Sequence, residues 1–185
     1  MKLEIMPLSI PDVKLIRSSR ISDSRGYFFE SYVRSDFAAS GISENFVQDN
    51  QSFSAVPGTV RGLHFQVFPY AQAKLVRVLQ GKILDVVVDL RVSSPTFAKH
   101  LAIELSSERA DQLFVPVGFA HGFCTLMPNT EVFYKVDNTY SAAHDRGLNW
   151  ADPDLQINWP VKNGQAVLSE KDRALPHLSS LPNYF

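Results

Sequence analysis

Apolar and polar residues alternate along much of this chain with the two-residue period of β-strands. In the segment 82–90, the even-numbered residues from Leu84 to Leu90 are all apolar and share one face, because successive side chains of a strand point to opposite sides. Asp85 and Asp89 fall on the other face, and we expect both to lie on a solvated or partly polar surface. Further alternation predicts strands over 101–105 and 130–136.

Turn residues divide the chain into many short strands and predict an all-β protein. Gln80-Gly81 is expected to form a hairpin turn between two strands. Short helical pieces are expected at Ser35–Ser40, at Ser107–Gln112 and from Ser169 onward, since no longer stretch has a helical period. Strands at this spacing are typical of an antiparallel sandwich or jelly roll. The turn-rich residues after Trp159 are expected to pack over the barrel as a tail.

Length and composition indicate a single domain spanning residues 1–185, with no bias toward nucleic acid or membranes. The 185 residues are 45% hydrophobic and carry a net charge of −1, so there is no basic surplus to attract nucleic acid. The apolar runs fall short of the ~18–20 residues of a membrane span, and the first residues do not form a signal peptide. Cys124 is the only cysteine, which excludes an internal disulfide and favours a cytoplasmic protein.

Three polar residues share strand faces that are otherwise suited to the interior. By alternation His64 lies on one face with Gly62 and Gln66, while Lys74 and Tyr134 each lie among valines. Buried polar groups need a partner or a chemical role. A histidine base beside a fixed positive charge suits the removal of a proton next to a carbonyl, because the cation stabilises the resulting enolate.

Each of these residues also has a structural interpretation. His64 is open to an ordinary structural role on its strand, and the Tyr134 hydroxyl is open to a backbone hydrogen bond. Lys74 is open to a place at the barrel rim with its amine in solvent. Ser169–Asp172 fits a capping box in which Asp172 is the third helical residue. The residue types alone leave these alternatives open.

The motifs, taken together in this order, resemble the dTDP-4-dehydrorhamnose 3,5-epimerase family over almost the whole chain. The segments that carry the resemblance are Arg25–Glu30, Gln48–Ser52, Arg61–Gln66, Lys74–Val78, Asp85–Arg91, Ser94–Thr96, Gly118–Phe123, Tyr134–Lys135, Arg146–Trp150 and Leu168–Asp172. The resemblance implies an all-β, antiparallel double-stranded β-helix (a jelly roll, cupin-like) with a few short helices. It also implies a homodimer without metal or cofactor. Members invert carbons 3 and 5 of a dTDP-linked 4-keto-6-deoxyhexose on the route to dTDP-L-rhamnose.

The same resemblance implies roles for individual residues. His64 matches the general base and Asp172 the carboxylate paired with it. Lys74 matches the residue that faces the keto oxygen, Tyr134 the general acid, and Tyr140 the aromatic that stacks on thymine. The positions that match residues holding the nucleotide sugar are Arg25, Glu30, Gln48, Asp49, Asn50, Arg61, Lys74, His121, Asp145 and Lys171.

Two placements depend on geometry that the sequence leaves open. Arg61, expected to bind the diphosphate, falls on the opposite strand face from His64. Both reach one ligand only if Gly62 marks a β-bulge or the strand starts later. The family also implies that an N-terminal segment such as Tyr27–Glu30 crosses to the barrel of a second copy.

Three other functions stay open at this point. Some relatives within the family invert a single carbon or shift the keto group. A non-catalytic jelly roll would bind the nucleotide sugar without exchanging its protons. A metal-dependent cupin oxygenase or isomerase is disfavoured, because His64 and His121 are only two ligands where a catalytic zinc or iron site needs three or four.

Overall fold

Most segments of alternating polarity form strands in the computed structural model, which describes residues 3–162 and 164–185. The described residues contain thirteen strands, two α-helices and one 3-10 turn, Leu178–Ser180. In chain order the strands and helices are β1 (Leu3–Met6), β2 (Lys14–Ser18), β3 (Ile21–Asp23), β4 (Gly26–Phe28), α1 (Arg34–Ala39), β5 (Gln48–Ser54), β6 (Val60–Gln66), β7 (Lys74–Gln80), β8 (Lys82–Asp89), β9 (His100–Ser106), β10 (Gln112–Val115), β11 (Phe119–Thr125), β12 (Thr130–Val136), β13 (Asp145–Gly147) and α2 (Glu170–Arg173).

The strands form two facing antiparallel sheets, which confirms the expected jelly roll. The six-stranded sheet has the order β1-β2-β10-β7-β12-β5, and the five-stranded sheet has the order β13-β6-β11-β8-β9. A separate two-stranded hairpin is made of β3 and β4. Within the described part of the chain, no helix has the length and apolar character that a membrane span requires.

The principal core lies between the two sheets and draws on both. Val76, Val78 and Val132 of the six-stranded sheet pack against Ile83 and Val87 of the five-stranded sheet. The outer face of each sheet is covered as well. Residues of α1 pack on the six-stranded sheet, and the C-terminal residues pack on the five-stranded sheet, as expected for the tail after Trp159.

This second layer explains why Asp85 and Asp89 do not lie on the surface, solvated or partly polar, that the sequence predicted. The apolar even-numbered face of β8 packs under the C-terminal residues. The face that carries the two aspartates therefore points into the space between the sheets, where Asp85 is 1% and Asp89 0% exposed. Asp89 is held by Arg91, whose Nε donates to its Oδ1 at 2.9 Å.

Two segments differ from their predicted conformation because the chain passes from one sheet to the other there. The expected hairpin at Gln80-Gly81 is wrong: β7 and β8 belong to different sheets, and Gly81, at φ 80°, forms the corner between them. The expected helix at Ser107–Gln112 is also wrong, since these residues turn from β9 into β10 of the opposite sheet. The predicted helices near Ser35 and after Ser169 are confirmed as α1 and α2.

Candidate active site

A cleft with two connected lobes opens between the sheets. The first lobe has a volume of about 430 Å³ and the second about 250 Å³. The two lobes share four lining residues, His64, Lys74, Tyr134 and Lys171. The first lobe is also lined by Arg61, His121, Phe123, Ser169 and Asp172, among others. The second is also lined by Gln48, Asn50, Gln66, Gln72, Tyr140 and Asp145, among others.

His64 and Asp172 meet in the first lobe although 108 positions separate them in sequence. His64 projects from β6, and its Nε2 lies 2.5 Å from Oδ1 of Asp172 in α2. The hydroxyl of Ser169, the N-cap residue of α2, accepts a hydrogen bond from the backbone N–H of Asp172 at 3.1 Å. Asp172 therefore has the position in the helix cap that the sequence predicted, and its side chain also bonds His64. Burial alone would raise the pKa of Asp172, but the hydrogen bond and charge of His64 bring it below its ordinary value. Asp172 is therefore an ionised partner for the imidazole.

Lys74 is buried beside this pair, not at a solvated rim. Its residue is 8% exposed, and Nζ donates to the backbone carbonyl of His64 at 3.1 Å. Burial lowers the pKa of Lys74 to about 8, although attraction to Asp145 and Asp85 opposes this shift. The lysine is thus a preorganised donor that still carries a charge at neutral pH.

Tyr134 faces His64 from the other side of the cleft. It lies on β12 of the six-stranded sheet, whereas His64 lies on β6 of the five-stranded sheet. Burial raises the pKa of Tyr134, and the charge of Arg61 opposes the rise. The hydroxyl therefore stays protonated at neutral pH, on the opposite wall from the imidazole.

A β-bulge brings Arg61 into the same lobe as His64, which is the first of the two arrangements that the sequence left open. His121 of β11 is paired with His64 and Phe123 with Arg61, so β6 carries one extra residue between these pairs. Gly62 occupies the bulge with φ 119°, a value that favours glycine. Arg61 Nε donates to the Ser54 hydroxyl at 3.2 Å.

His121 carries a carboxylate partner of its own. Its Nε2 lies 2.8 Å from Oδ1 of Asp85, and both side chains are buried. Sequence reasoning missed Asp85 as a site residue. The signal that could have found it is its alternation with Ile83 and Val87, which are both buried between the sheets.

The second lobe joins polar residues that the resemblance assigned to the nucleotide. The Tyr140 hydroxyl donates to Asp145 Oδ2 at 3.0 Å, and Lys171 forms an ion pair with the same oxygen. The Gln48 side chain donates to Asn50 at 2.9 Å and accepts the backbone N–H of Tyr140 at 3.1 Å. Tyr140 is 58% exposed as a residue, which leaves its ring available for stacking.

Three expected site residues do not line the cleft of this chain. Arg25 lies in the β3–β4 hairpin, where it pairs with Asp23 and its side chain is 88% exposed. Glu30 is also exposed. Asp49 points to the other side of β5 from Gln48 and Asn50 and pairs with Lys135 at 2.8 Å.

Several further polar residues line the cleft without having been expected from the sequence. Gln66 is buried, and its Nε2 donates to the Tyr70 carbonyl at 2.7 Å. The Gln72 side chain donates to the Asn138 carbonyl at 2.7 Å. Across residues 3–162 and 164–185, no cluster of three or more His, Cys, Asp or Glu side chains could hold a metal ion.

Comparison with known proteins gives consistent matches over nearly the whole chain. The family model described as dTDP-4-dehydrorhamnose 3,5-epimerase matches residues 7–180. A dTDP-4-dehydrorhamnose 3,5-epimerase from Sinorhizobium fredii is 54% identical over 178 residues, which cover 96% of this chain and 91% of the relative.

Solved structures match the fold as closely. The dTDP-4-dehydrorhamnose 3,5-epimerase of Bacillus anthracis, crystallised with TDP and PPi bound, aligns with a TM-score of 0.93 at 50% identity over 96% of this chain and 100% of that one. The dTDP-6-deoxy-D-glucose-3,5-epimerase of Legionella pneumophila, in complex with dTDP-4-keto-L-rhamnose, aligns with a TM-score of 0.93 at 38% identity. The alignment covers 98% of this chain and 95% of that one.

Proposed function

This chain belongs to the dTDP-4-dehydrorhamnose 3,5-epimerase family, and we propose that it inverts carbons 3 and 5 of dTDP-4-dehydro-6-deoxy-D-glucose. The product is dTDP-4-dehydro-L-rhamnose, an intermediate of dTDP-L-rhamnose biosynthesis. The observation that carries the proposal is the contact between His64 Nε2 and Asp172, 2.5 Å long, in a cleft that also contains Lys74 and Tyr134.

His64 is the base in this proposal. A hydrogen on either carbon next to the ketone is acidic, because the electron pair left on carbon delocalises onto the keto oxygen. Asp172 engages Nε2, so Nδ1 is the nitrogen that takes the proton. The carboxylate, kept ionised by its lowered pKa, then stabilises the imidazolium.

Lys74 stabilises the enolate. Its ammonium is held in place by the His64 carbonyl, so little reorganisation is needed when charge develops on the keto oxygen. A preorganised donor of this kind contributes about 3–4 kcal/mol to transition-state stabilisation. One base and one oxyanion donor serve both carbons, since both flank the same ketone.

Tyr134 returns the proton. Inversion requires that the carbon be protonated on the face opposite to the one that lost its hydrogen. The hydroxyl of Tyr134 and the imidazole of His64 lie on facing sheets, which suits this geometry. The phenol gives its proton to the carbon as the enolate collapses to the ketone, and the other face now carries the new C–H bond.

The remaining cleft residues hold the nucleotide sugar. The diphosphate favours guanidinium and ammonium donors, which Arg61 and Lys171 offer. Tyr140 provides an exposed ring for stacking on thymine. His121, Gln48 and Asn50 add polar contacts along the cleft.

A homodimer in the cytoplasm completes the proposal. The β3–β4 hairpin exposes large apolar residues together with Arg25, while the cleft of the same chain lacks both Arg25 and Glu30. A hairpin that crosses to a second copy would cover these apolar residues and bring Arg25 and Glu30 to the partner's nucleotide. The one cysteine, Cys124, is a buried free thiol, as suits a reducing compartment.

Solvent exchange followed by proton NMR tests the proposed reaction. The protein is incubated in D₂O with dTDP-4-keto-6-deoxyglucose, with a downstream reductase to trap the L-configured product. Deuterium at both carbon 3 and carbon 5 supports the double inversion. Deuterium at one carbon alone overturns it in favour of a single-site relative, and no exchange overturns the catalytic function. His64→Asn removes the proposed base and should abolish the exchange. His100→Asn is the matched control, because His100 lies on the edge strand β9, and it should leave the exchange unchanged.

A further inference from the structure

The cleft holds a second histidine–carboxylate pair, His121 with Asp85, whose carboxylate has no role in the reaction described above. His121 lines the first lobe, and on the β6–β11 ladder it is the direct partner of His64. The two pairs differ in setting. The His64 side chain is 31% exposed and the His121 side chain 6%. The two imidazoles therefore line one lobe of the cleft from adjacent strands, with different access to solvent.

Asp85 is held rigidly behind His121. It lies within β8, which pairs with β11 on one side and β9 on the other. Its side chain is 0% exposed, and Oδ2 is buried without a hydrogen-bond partner among the described residues. A buried carboxylate is costly unless it is paired. The contact with His121, with the nearby charge of Lys74, is what compensates for that cost.

The contact fixes the chemistry of the histidine ring. An ionised carboxylate only accepts hydrogen bonds, so Nε2 of His121 must carry the hydrogen that it donates to Asp85. In the neutral ring Nδ1 then carries a lone pair. Because His121 lines the cleft, Nδ1 is the ring nitrogen left for a molecule bound there.

We propose that Asp85 is a positioning residue that fixes His121 in the Nε2–H form, so that Nδ1 accepts a hydrogen bond from a hydroxyl of the hexose. This inference rests on the proposed function for the identity of the sugar. The cleft already contains Arg61, Lys74 and Lys171 as cationic donors for phosphate and keto oxygens. A sugar hydroxyl also donates a hydrogen bond, and Nδ1 of the neutral His121 ring offers an acceptor for it beside these donors.

Histidine ¹⁵N NMR of the intact free protein tests the ring form without any assay of activity. The chain contains five histidines, and loss of one signal set in His121→Gln assigns His121. We expect the nitrogen shifts and proton couplings of a neutral ring with hydrogen on Nε2. A ring with hydrogen on Nδ1 alone, or on both nitrogens at neutral pH, overturns the proposal. The wild-type spectrum decides this point even if Asp85→Asn folds poorly.

Asp85→Asn tests the positioning role directly. The amide that it introduces can donate to Nε2, which favours hydrogen on Nδ1 and makes the nitrogen facing the cleft a donor. We expect a roughly tenfold rise in KM with a smaller change in kcat. In the His121→Gln background the same substitution should add less than about twofold, since its effect passes through the ring.

Asp89→Asn is the matched control, because it also removes a buried carboxylate from β8 but one that pairs with Arg91 outside the cleft. It should lower thermal stability and leave both KM and the His121 spectrum unchanged. An Asp85→Asn variant that changes the ring form but keeps the wild-type KM would overturn the proposed contact with the sugar. Absence of turnover in the wild-type protein would instead refute the proposed function, and the ring form would still be measured.

Discussion

At the scale of single residues, the chemistry of the cleft depends on how burial and charge act on a few ionisable groups. Burial lowers the pKa of Lys74 and raises that of Tyr134, while the contact with His64 keeps the pKa of Asp172 low. The shifts of Asp172 and Tyr134 favour the forms that proton transfer requires at neutral pH, a carboxylate and a phenol. The shift of Lys74 works against its ammonium, which is nevertheless the main form below about pH 8.

Asp172→Asn should lower kcat by a factor on the order of 10²–10⁴, because the amide no longer orients His64 or stabilises its imidazolium. His64→Ala should abolish turnover. Both variants should still bind dTDP with near-normal affinity in calorimetry, since neither group is proposed to hold the nucleotide. Asp154→Asn, an exposed residue away from the cleft, is the control. Near-normal activity in His64→Ala would contradict the role of the base.

Lys74 should give opposite pH dependences for activity and stability. Turnover should fall as pH rises through about 8, because the ammonium that stabilises the enolate is lost. The unfolded chain, with the ordinary pKa of 10.5, binds this proton more tightly than the folded protein. The free energy of unfolding should therefore gain up to about 3 kcal/mol from this group between pH 8 and 10.5.

The stability effect is measured by urea unfolding of the wild type and Lys74→Met over that pH range. The difference between the two proteins isolates Lys74 from other groups that titrate there. Asp145, Asp85 and Lys171 act on the same ammonium, and all three are unchanged in the variant. If the difference in unfolding free energy between the two proteins does not depend on pH, the lowered pKa of Lys74 is refuted.

Tyr134→Phe should separate deprotonation from inversion. His64 still removes the proton, so protons of the substrate should continue to exchange with D₂O. Inverted product should form at least about 100-fold more slowly, since the general acid on the far wall is gone. Proton NMR measures both rates in one sample, with Tyr184→Phe in the C-terminal tail as the control. A parallel fall of the two rates would count against Tyr134 as the acid.

At the scale of elements, the bulge in β6 is what allows one strand to present both Arg61 and His64 to the ligand. The close approach of β11 supports it: a Cβ added at Gly62 would lie 2.6 Å from Gly122 Cα and 2.8 Å from the His121 carbonyl oxygen. Both neighbours are backbone atoms, so neither can rotate away. The geometry of the site thus depends on this glycine.

Gly62→Ala should lower the free energy of unfolding by at least about 2 kcal/mol and reduce kcat, because β6 and β11 must separate. Gly164→Ala is a matched control: its φ of 87° is also positive, but apart from its chain neighbours no described residue lies within 4 Å of an added Cβ. That variant should lose only about 1 kcal/mol from backbone strain. Equal losses in the two variants, measured by chemical denaturation, would show that backbone strain alone accounts for the effect.

At the scale of the whole molecule, the β3–β4 hairpin has large apolar residues that a single copy of the chain leaves exposed. Ile21, Tyr27 and Phe28 are 70%, 56% and 65% exposed. Apolar residues of this size in one short hairpin suit an interface. The proposed dimer makes each active site depend on two chains.

Mixing two inactive variants tests this dependence. Arg25→Ala and His64→Ala should each be much less active than the wild type. Subunit exchange at equal concentrations should restore activity to about a quarter of the wild-type value, because half of the dimers are mixed and one of their two sites is intact. Mixtures that gain nothing after exchange, while sedimentation shows dimers, would mean that Arg25 does not serve the partner's cleft.

The sequence by itself determined the strands, the family and which polar residues share a strand face. Alternation grouped Lys74 and Tyr134 with buried valines, and the structure finds Val76, Val78, Val132 and Val136 buried in those strands. The sequence also offered the cap at Ser169, and it gave a bulge at Gly62 as one of two ways for Arg61 and His64 to reach one ligand. These are local properties, fixed by the period of a strand and by the conformations that a residue type permits.

Only the tertiary structure decided which face of each strand is inside and which sheet each strand joins. Asp85 was expected on a solvated or partly polar surface, yet the C-terminal tail covers the opposite face of β8 and Asp85 is buried between the sheets. Gln80-Gly81 was expected to be a hairpin, yet it is a corner between sheets. Two-residue alternation divides a strand into two faces but does not say what covers either one. That depends on packing between segments far apart in the chain, and the same packing brings Asp172 to His64.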